Sequence, residues 1–237
     1  MKRTVFVICS IIFITSCLFA QKYEPVTIKA GTSIKDYFPV AERYLYPNFT
    51  AGKGYFKNGI VIPCLFNFNV LSGEMEFIQS KDTLIIAKKE EINSIVVATD
   101  TFYYHDAYLQ MIRSGRLSVY VKRGIEIKNI LKQGAMGTIN RSAASDSYSF
   151  VLIGQRSFDM KLAEDVVIQQ KVGYFYSTSV NDFIPFTRKN IIRIMQGKEG
   201  EIKNYIKSNK IDFESREDLL KLAGYVSDLI FKNPGKP

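Results

Sequence analysis

Large apolar residues recur at alternate positions in the middle of the chain, with a turn signal between each run and the next. Between residues 52 and 104 these positions include Phe66, Phe68, Val70, Met75 and Phe77. A period of two places such side chains on one buried face of a sheet and leaves the polar residues between them in water. The stretch therefore predicts an antiparallel meander with one buried face and one solvated face.

Turn-forming residues separate these strands. The Asn-Gly pair at 58–59 favours a hairpin with a type I′ turn, in which both central residues have positive φ. Ser72-Gly73 and residues 80–82 mark the next two reversals. Thr83 to Ala87 and Ile92 to Ala98 are continuous apolar runs rich in β-branched residues, which predicts central strands covered on both faces.

Further strands are predicted on both sides of this stretch, at Val26 to Lys29, in an alternating region from Tyr108 to Lys128, and at Phe150 to Gly154, Ser157 to Leu162 and Val166 to Ser177. Residues 132–148 are small and polar without an apolar period, which predicts a long exposed loop. Five aromatic residues and two prolines between residues 37 and 49 indicate an extended segment. Its rings either cover one end of the sheet or line the mouth of a ligand site.

The composition changes near Pro185, and three helices are predicted at 187–195, 199–209 and 215–231. Ser215 and Asp218 suit the N-cap of the third helix, and Gly197 suits the end of the first. The acids of the third helix favour docking on the sheet over a membrane anchor, whose polar face is usually basic. Its apolar residues recur at intervals of three and four on one face: Leu219, Leu222, Ala223, Val226 and Ile230.

Together these elements predict an α+β fold. A large antiparallel sheet, curled toward a barrel or folded into a sandwich, carries a helical tail packed on it. The predicted boundaries are a signal peptide at 1–20, a β-rich domain at 21–186 and the helical tail at 187–237. A chain of 237 residues with 46% apolar content can bury a core without a metal or a disulfide.

The first twenty residues have the pattern of a secretory signal peptide, with Lys2 and Arg3 before an apolar run and with small or tolerated residues before Gln21. The run is too short for a membrane-spanning helix, and no later segment approaches the required length. Cleavage between Ala20 and Gln21 is favoured over acylation of Cys17, because the residues after Cys17 are apolar where a lipoprotein has a polar tether. The pattern predicts export to the periplasm, the outer membrane or the medium.

Cleavage after Ala20 leaves Cys64 as the only cysteine of the mature chain, so an intramolecular disulfide is excluded there. We interpret Cys64 as a small apolar residue of a strand rather than as a nucleophile. Removing Lys2 and Arg3 takes the formal charge from +9 to +7. Cations and acids are interleaved along the chain, so this surplus indicates a solvated surface rather than a nucleic-acid site.

The stretch from Asp100 to Asp106 contains the only histidine of the chain, His105, beside three aromatic residues. Either acid could orient His105 as a general base or a ligand. Neighbouring residues of a regular strand point to opposite faces, however, which favours a surface histidine. Tyr103, Tyr104, His105 and Asp106 are the candidate functional patch.

The sequence contains none of the common motifs for nucleotide, metal or nucleophilic chemistry, and we predict no cofactor, no metal and no catalytic residue. With one histidine and one mature cysteine, a zinc site would need carboxylates almost alone. A pair of carboxylates for glycoside hydrolysis stays open, because the fold and not the spacing sets such a pair.

A Phe-Lys-Asn-Gly hairpin, a Leu-Ser-Gly-Glu-Met turn, an Asp-Thr-Phe-Tyr-Tyr strand and a Lys-rich closing helical motif occur together between Tyr44 and Leu222. In this combination the chain resembles a group of uncharacterised exported proteins common in Bacteroidetes. The resemblance implies an envelope or secreted location and carries no catalytic residue with it. Asp82-Thr83-Leu84 is similar to the O-glycosylation signal of these bacteria, with Thr83 as the acceptor.

These observations favour a non-catalytic envelope module that binds a ligand, a surface glycan or another envelope protein. The contact surface would be the aromatic-rich ends of the sheet or the loop at 132–148. Two alternatives remain open: a hydrolase that uses carboxylates on cell-surface glycans or lipids, and a structural component of a surface or secretion assembly. The sequence does not determine the oligomeric state.

Overall fold

The computed structural model describes residues 24–133, 139–143, 158–179 and 182–232. Within these ranges, twelve strands form one sheet in which every pairing is antiparallel. The strands are β1 (Val26–Ile28), β2 (Thr50–Phe56), β3 (Val61–Asn69), β4 (Glu74–Gln79), β5 (Asp82–Ile85), β6 (Ile92–Val97), β7 (Asp100–Tyr104), β8 (Tyr108–Arg113), β9 (Ser118–Gln133), β10 (Ile139–Ala143), β11 (Asp165–Ser177) and β12 (Ile184–Pro185). The helices are α1 (Ile34–Tyr37), α2 (Val40–Arg43), a 3₁₀ helix (Lys89–Glu91), α3 (Arg188–Arg193), α4 (Glu199–Ser208) and α5 (Arg216–Lys232).

The strands follow the order β1-β11-β9-β8-β7-β6-β2-β3-β4-β5, with β10 beside β9 and β12 beside β11. The sheet is curled and unclosed. Leu71, in the turn after β3, packs against Ile28 of β1 and Ile168 of β11, which belong to the opposite end of the strand order. The predicted α+β class with a mostly antiparallel sheet is confirmed.

The pair of β9 and β11 is the longest in the sheet and runs from Asp165 opposite Leu131 to Ser177 opposite Ser118. It confirms the strand predicted at 166–177. The loop predicted from residue 132 is wrong at its start, because β9 continues to Gln133 and β10 folds back on it. The prediction of a strand at 157–162 is also wrong for the described residues 158–162. Their one pairing is an isolated bridge between Lys161 and Ser33. The strand predicted at 150–154 lies outside the described residues.

The single meander predicted between residues 52 and 104 is interrupted after β5. This strand is the edge of the sheet and is mostly exposed, so the prediction of a central strand at Thr83 to Ala87 is wrong. The next strand, β6, pairs with β2 and not with β5. The connection between them crosses the sheet because Ile86 and Ile92 pack into the same apolar cluster as Phe66 and Phe68.

The hairpin at residues 55–62 is confirmed, but its turn differs from the predicted type. Gly59 has φ +86°, whereas Asn58 is not among the residues with positive φ. The Gly59 N–H donates to Phe56 O at 3.0 Å, and the Phe56 N–H donates to Ile60 O at 2.9 Å. Asn58 Oδ1 accepts the Ile60 N–H at 3.0 Å, which stabilises a three-residue loop ending in a left-handed glycine.

The second face of β3 and β4 is not solvated, which corrects the predicted wet face. Four polar residues on this face are between 1% and 7% exposed. The segment before β2 and residues 158–159 lie over them, because Tyr44, Phe158 and Asp159 line the same cleft as Glu76. The buried polar residues are Asn67, Asn69, Glu74 and Glu76.

The helical tail docks on the sheet, as predicted. One apolar cluster contains Val119 of β9, Tyr176 of β11 and the predicted face of α5, of which Leu222 is fully buried. The Ser215 hydroxyl accepts the Asp218 N–H at 3.3 Å and caps α5. Gly197, with φ +80°, separates α3 from α4. Within the described ranges, no helix combines the length and the apolar character needed to cross a membrane.

We expect Leu222→Ala to lower the free energy of unfolding by about 2 to 5 kcal/mol, because it leaves a cavity between α5 and the sheet. Lys221→Ala is the matched control, since Lys221 is the adjacent residue and is exposed. This substitution should lower the free energy of unfolding by less than about 0.5 kcal/mol. Urea unfolding followed by circular dichroism measures both. A separate low-urea transition of the helices, with the sheet transition unchanged, would contradict shared packing.

Candidate ligand-binding cleft beside Tyr44

Strand β4 buries two carboxylates. Glu74 and Glu76 are 7% and 3% exposed, and they lie opposite Asn69 and Asn67 of β3. Carboxylates are almost never buried without partners, because the ionised form loses its hydration. The contacts of these two side chains therefore organise this part of the fold.

Glu76 receives two hydrogen bonds from neutral donors. The Tyr44 hydroxyl donates to Oε2 at 2.6 Å, and Asn69 Nδ2 donates to Oε1 at 3.0 Å. Asn69 is itself fixed, since its Oδ1 accepts the N–H groups of Leu71 and Ser72 at 3.1 Å each. Both donors hold the carboxyl group of Glu76 in one orientation.

Main-chain pairing places Tyr44 over Glu76. The Leu45 N–H donates to Phe68 O at 2.9 Å, and the Val70 N–H donates to Arg43 O at 2.8 Å. The segment before β2 thus extends along the end of β3, although Pro47 interrupts the strand. Proline has no N–H to donate, and it commonly ends strand pairing.

Where the strand is interrupted, the side chain of Asn67 replaces the missing main-chain hydrogen-bond partner. Its Oδ1 accepts the Tyr46 N–H at 3.1 Å, and its Nδ2 donates to Tyr46 O at 2.9 Å. These two bonds satisfy a main-chain donor and acceptor that have no strand partner there. Burial of Asn67 follows from this role. The neighbouring hydroxyl of Tyr46 donates to Asp100 Oδ2 at 2.6 Å.

Glu74 is held differently. Lys89 Nζ lies 2.5 Å from Glu74 Oε1 and 6.0 Å from the centre of the Tyr104 ring. Glu74 Oε2 and the Tyr108 hydroxyl are both buried, and neither has a hydrogen-bond partner among the described residues. Burial raises the pKa of Tyr108, and the nearby charge of Glu74 raises it further. The ion pair fixes the 3₁₀ helix against β4.

A cleft of about 470 Å³ opens beside Tyr44. Residues from α1, α2, β3, β4, β5 and the segment before β11 surround it, so only the curled sheet assembles it. Its volume lies within the ordinary range for small-molecule sites. The residues that carry polar or aromatic groups into it are Lys35, Arg43, Tyr44, Asn69, Glu76, Thr83, Phe158 and Asp159. A second cleft of about 530 Å³ is also lined by Tyr44, together with Glu42, Arg123 and Lys171.

The charges of the first cleft nearly balance. Lys35 Nζ lies 3.3 Å from Asp159 Oδ1. Arg43 Nε is buried and has no hydrogen-bond partner among the described residues. Burial raises the pKa of Tyr44, and its bond to Glu76 raises it further, so Tyr44 stays a protonated donor at neutral pH. The cleft is therefore lined by two cationic and two acidic side chains, together with an amide, hydroxyl groups and the ring of Phe158.

The patch predicted around His105 is divided in the structure. His105 is exposed in the turn between β7 and β8, with its ring 5.8 Å from that of Phe183, in agreement with the surface position favoured above. Tyr103 also contacts Phe183, whereas Tyr104 packs on Tyr108. The two acids that flank this stretch contact other residues. Asp106 Oδ2 lies 3.4 Å from Lys122 Nζ, and Asp100 Oδ2 accepts a hydrogen bond from the Tyr46 hydroxyl.

The remaining predicted positions are distributed over the molecule. Cys64 is half-buried, and its thiol donates to Ile78 O at 3.2 Å. Thr83 is exposed on the edge strand at the rim of the cleft. The cleavage site at Ala20 and Gln21, and Cys17, lie outside the described residues. No group of three or more potential metal ligands occurs in the ranges that the structure describes.

Sequence reasoning did not identify Lys35, Arg43, Glu76 or Asp159 as neighbours. The sequence contains part of the signal for this polar cluster, because asparagines on one strand and glutamates on the next alternate with apolar residues, and these two strands are predicted to pair. That pattern alone indicates a solvated face. No known family model matches the chain, and neither a curated protein nor a solved structure is significantly similar to it.

We expect Tyr44→Phe to lower the free energy of unfolding by about 1 to 3 kcal/mol at pH 7, because Glu76 stays buried with one donor fewer. Tyr37→Phe is the control, since the Tyr37 side chain is 42% exposed. Urea unfolding of the three proteins measures the difference. An equal, small effect of both substitutions would show that the Glu76 contact contributes nothing.

The difference between wild type and Tyr44→Phe should shrink as the pH rises above about 10. The pKa of Tyr44 in the folded protein lies above its ordinary value of 10.0, so the unfolded chain loses this proton first and the stabilisation is lost as the pH rises. Other tyrosines contribute to both proteins and cancel in the comparison. A difference that stays constant from neutral to strongly alkaline pH would contradict the raised pKa.

Proposed function

We propose that this protein is an exported, non-catalytic envelope module that binds a saccharide in the cleft beside Tyr44. The observation that carries the proposal is the lining of this cleft, in which the cationic side chain of Arg43 lies with the amide of Asn69 and the carboxyl groups of Glu76 and Asp159. Saccharide hydroxyls both donate and accept, so they suit a mixture of guanidinium, amide and carboxylate groups. The ring of Phe158 adds an apolar surface for the carbon face of a sugar.

The position of Glu76 supports binding rather than hydrolysis. A glycoside hydrolase needs one carboxyl group that holds a proton and a second that acts as base or nucleophile. Both carboxyl oxygens of Glu76 already accept hydrogen bonds from Tyr44 and Asn69. Asp159 lies beside Lys35. Two acids nevertheless line one cleft, and this observation keeps a carboxylate hydrolase as the second candidate.

The location is proposed from the sequence. The basic start, the apolar run and the small residue Ala20 before Gln21 support cleavage after Ala20 and export. A surface glycan of the same envelope would then be within reach of the cleft. Thr83 is exposed on an edge strand, which would allow glycosylation at that position.

We expect residues 21–237 to bind a subset of oligosaccharides on a printed glycan array, and Arg43→Met to weaken the Kd for the best of them by about ten- to a hundredfold. This range corresponds to the loss of a hydrogen bond made by a charged group. Lys57→Met, which removes an exposed cation in the turn after β2, is the matched control and should change the Kd little. Isothermal titration calorimetry measures the Kd, and thermal melting checks that each variant is folded.

The same glycan tests the hydrolase. Wild-type protein should leave it intact during long incubation, as judged by mass spectrometry. Turnover that Glu76→Gln and Asp159→Asn each abolish would replace the binding module with an enzyme. An array on which no glycan binds the folded wild-type protein would overturn the saccharide proposal.

A further inference from the structure

A separate apolar pocket of about 260 Å³ lies on the other face of β3 and β4, under the connection that crosses from β5 to β6. Its walls include Phe56 of β2, Phe66 of β3, Phe77 of β4 and Ile86 of the crossing connection. Every residue that lines it is glycine, alanine, cysteine, isoleucine or phenylalanine. It shares none of the polar residues of the cleft beside Tyr44.

The side chains of the walls offer a ligand almost no hydrogen-bonding group. The only side-chain heteroatom is Cys64 Sγ, which donates to Ile78 O. The main chain of β2 is paired with β3 on one side and with β6 on the other. A saccharide or a nucleotide would leave most of its polar groups unsatisfied there.

The absence of a side chain at Gly54 keeps the pocket open. Gly54 is buried, and a Cβ at this position would lie 3.5 Å from Phe56 Cε2 and 3.7 Å from Phe66 Cζ, which are ordinary contacts. Gly52 differs, because its Cβ would lie 2.5 Å from Val96 O. Close packing explains glycine at position 52 and does not explain it at position 54. A larger side chain at 54 would extend into the pocket.

We propose that this pocket binds a single unbranched alkyl chain, such as that of a fatty acid or of a lipid. Its volume equals that of about nine water molecules, so it holds a chain of roughly eight to ten carbons and no ring system of steroid size. Ile62, which lines the pocket and is 46% exposed, marks where the chain enters from solvent. This site is independent of the saccharide cleft.

The test is a chain-length series of hexanoate, octanoate, decanoate and dodecanoate with residues 21–237, followed by calorimetry. Each buried methylene should tighten the Kd about fourfold until the pocket is filled near decanoate, after which the Kd should level off. Decanol should bind like decanoate, because the walls recognise the chain and not the carboxylate. A Kd independent of chain length, or no binding of any member of the series, would overturn the proposal.

Gly54→Leu places a side chain in the pocket and should abolish binding of decanoate. Lys53→Leu is the matched control, because it adds the same side chain at the neighbouring exposed position, which points to the opposite face of β2. Thermal melting checks the fold of both, and Arg43→Met should bind decanoate normally. Unchanged binding by Gly54→Leu would show that the chain binds elsewhere.

Cys64 reports the location directly, since it is the only cysteine after cleavage at Ala20 and it lines the pocket. Decanoate should slow alkylation of Cys64 by iodoacetamide at least severalfold in wild-type protein and in Lys53→Leu. It should have no effect in Gly54→Leu. Equal alkylation rates with and without saturating decanoate would contradict the assignment to this pocket.

Discussion

Two acidic side chains buried in one strand, Glu74 and Glu76, constrain much of this structure. Each must keep its hydrogen bonds, because an isolated buried charge costs more than the fold can supply. Glu76 fixes the segment before β2 through Tyr44 and the turn after β3 through Asn69. Glu74 fixes the 3₁₀ helix through Lys89. Three segments are thereby tied to β4, the neighbour of the edge strand β5.

The curl of the sheet creates the cleft. The connection from β5 to β6 returns the chain across the sheet, and Leu71 packs against β1 and β11 at the other end of the strand order. This packing brings α1, α2 and residues 158–159 over the polar face of β3 and β4. A flat sheet of the same strands would leave Glu76 in water and would have no cavity there. The helical tail closes a different part of the sheet, around Val119 and Tyr176.

The two faces of the β3–β4 hairpin carry different chemistry. Asn69 and Glu76 point into a polar cleft, whereas Phe66 and Phe77 line an apolar pocket. Because side chains alternate across a strand, one short hairpin supports both cavities. The two proposals remain separable, since they rest on different residues.

The sequence by itself determined the local features: the sheet-rich class, most strand positions, the docking face of α5 with its Ser215 cap, and an exposed His105. Each of these depends on period, capping or turn chemistry within a few residues. Tertiary structure alone decided that β5 is an edge, that β6 pairs with β2, and that Glu74 and Glu76 are buried. These features depend on a connection that crosses the sheet and on segments distant in sequence that cover it. Alternation of polar and apolar residues predicts that the two faces of a strand differ. Only tertiary packing decides whether the polar face is exposed to water or covered by other parts of the protein.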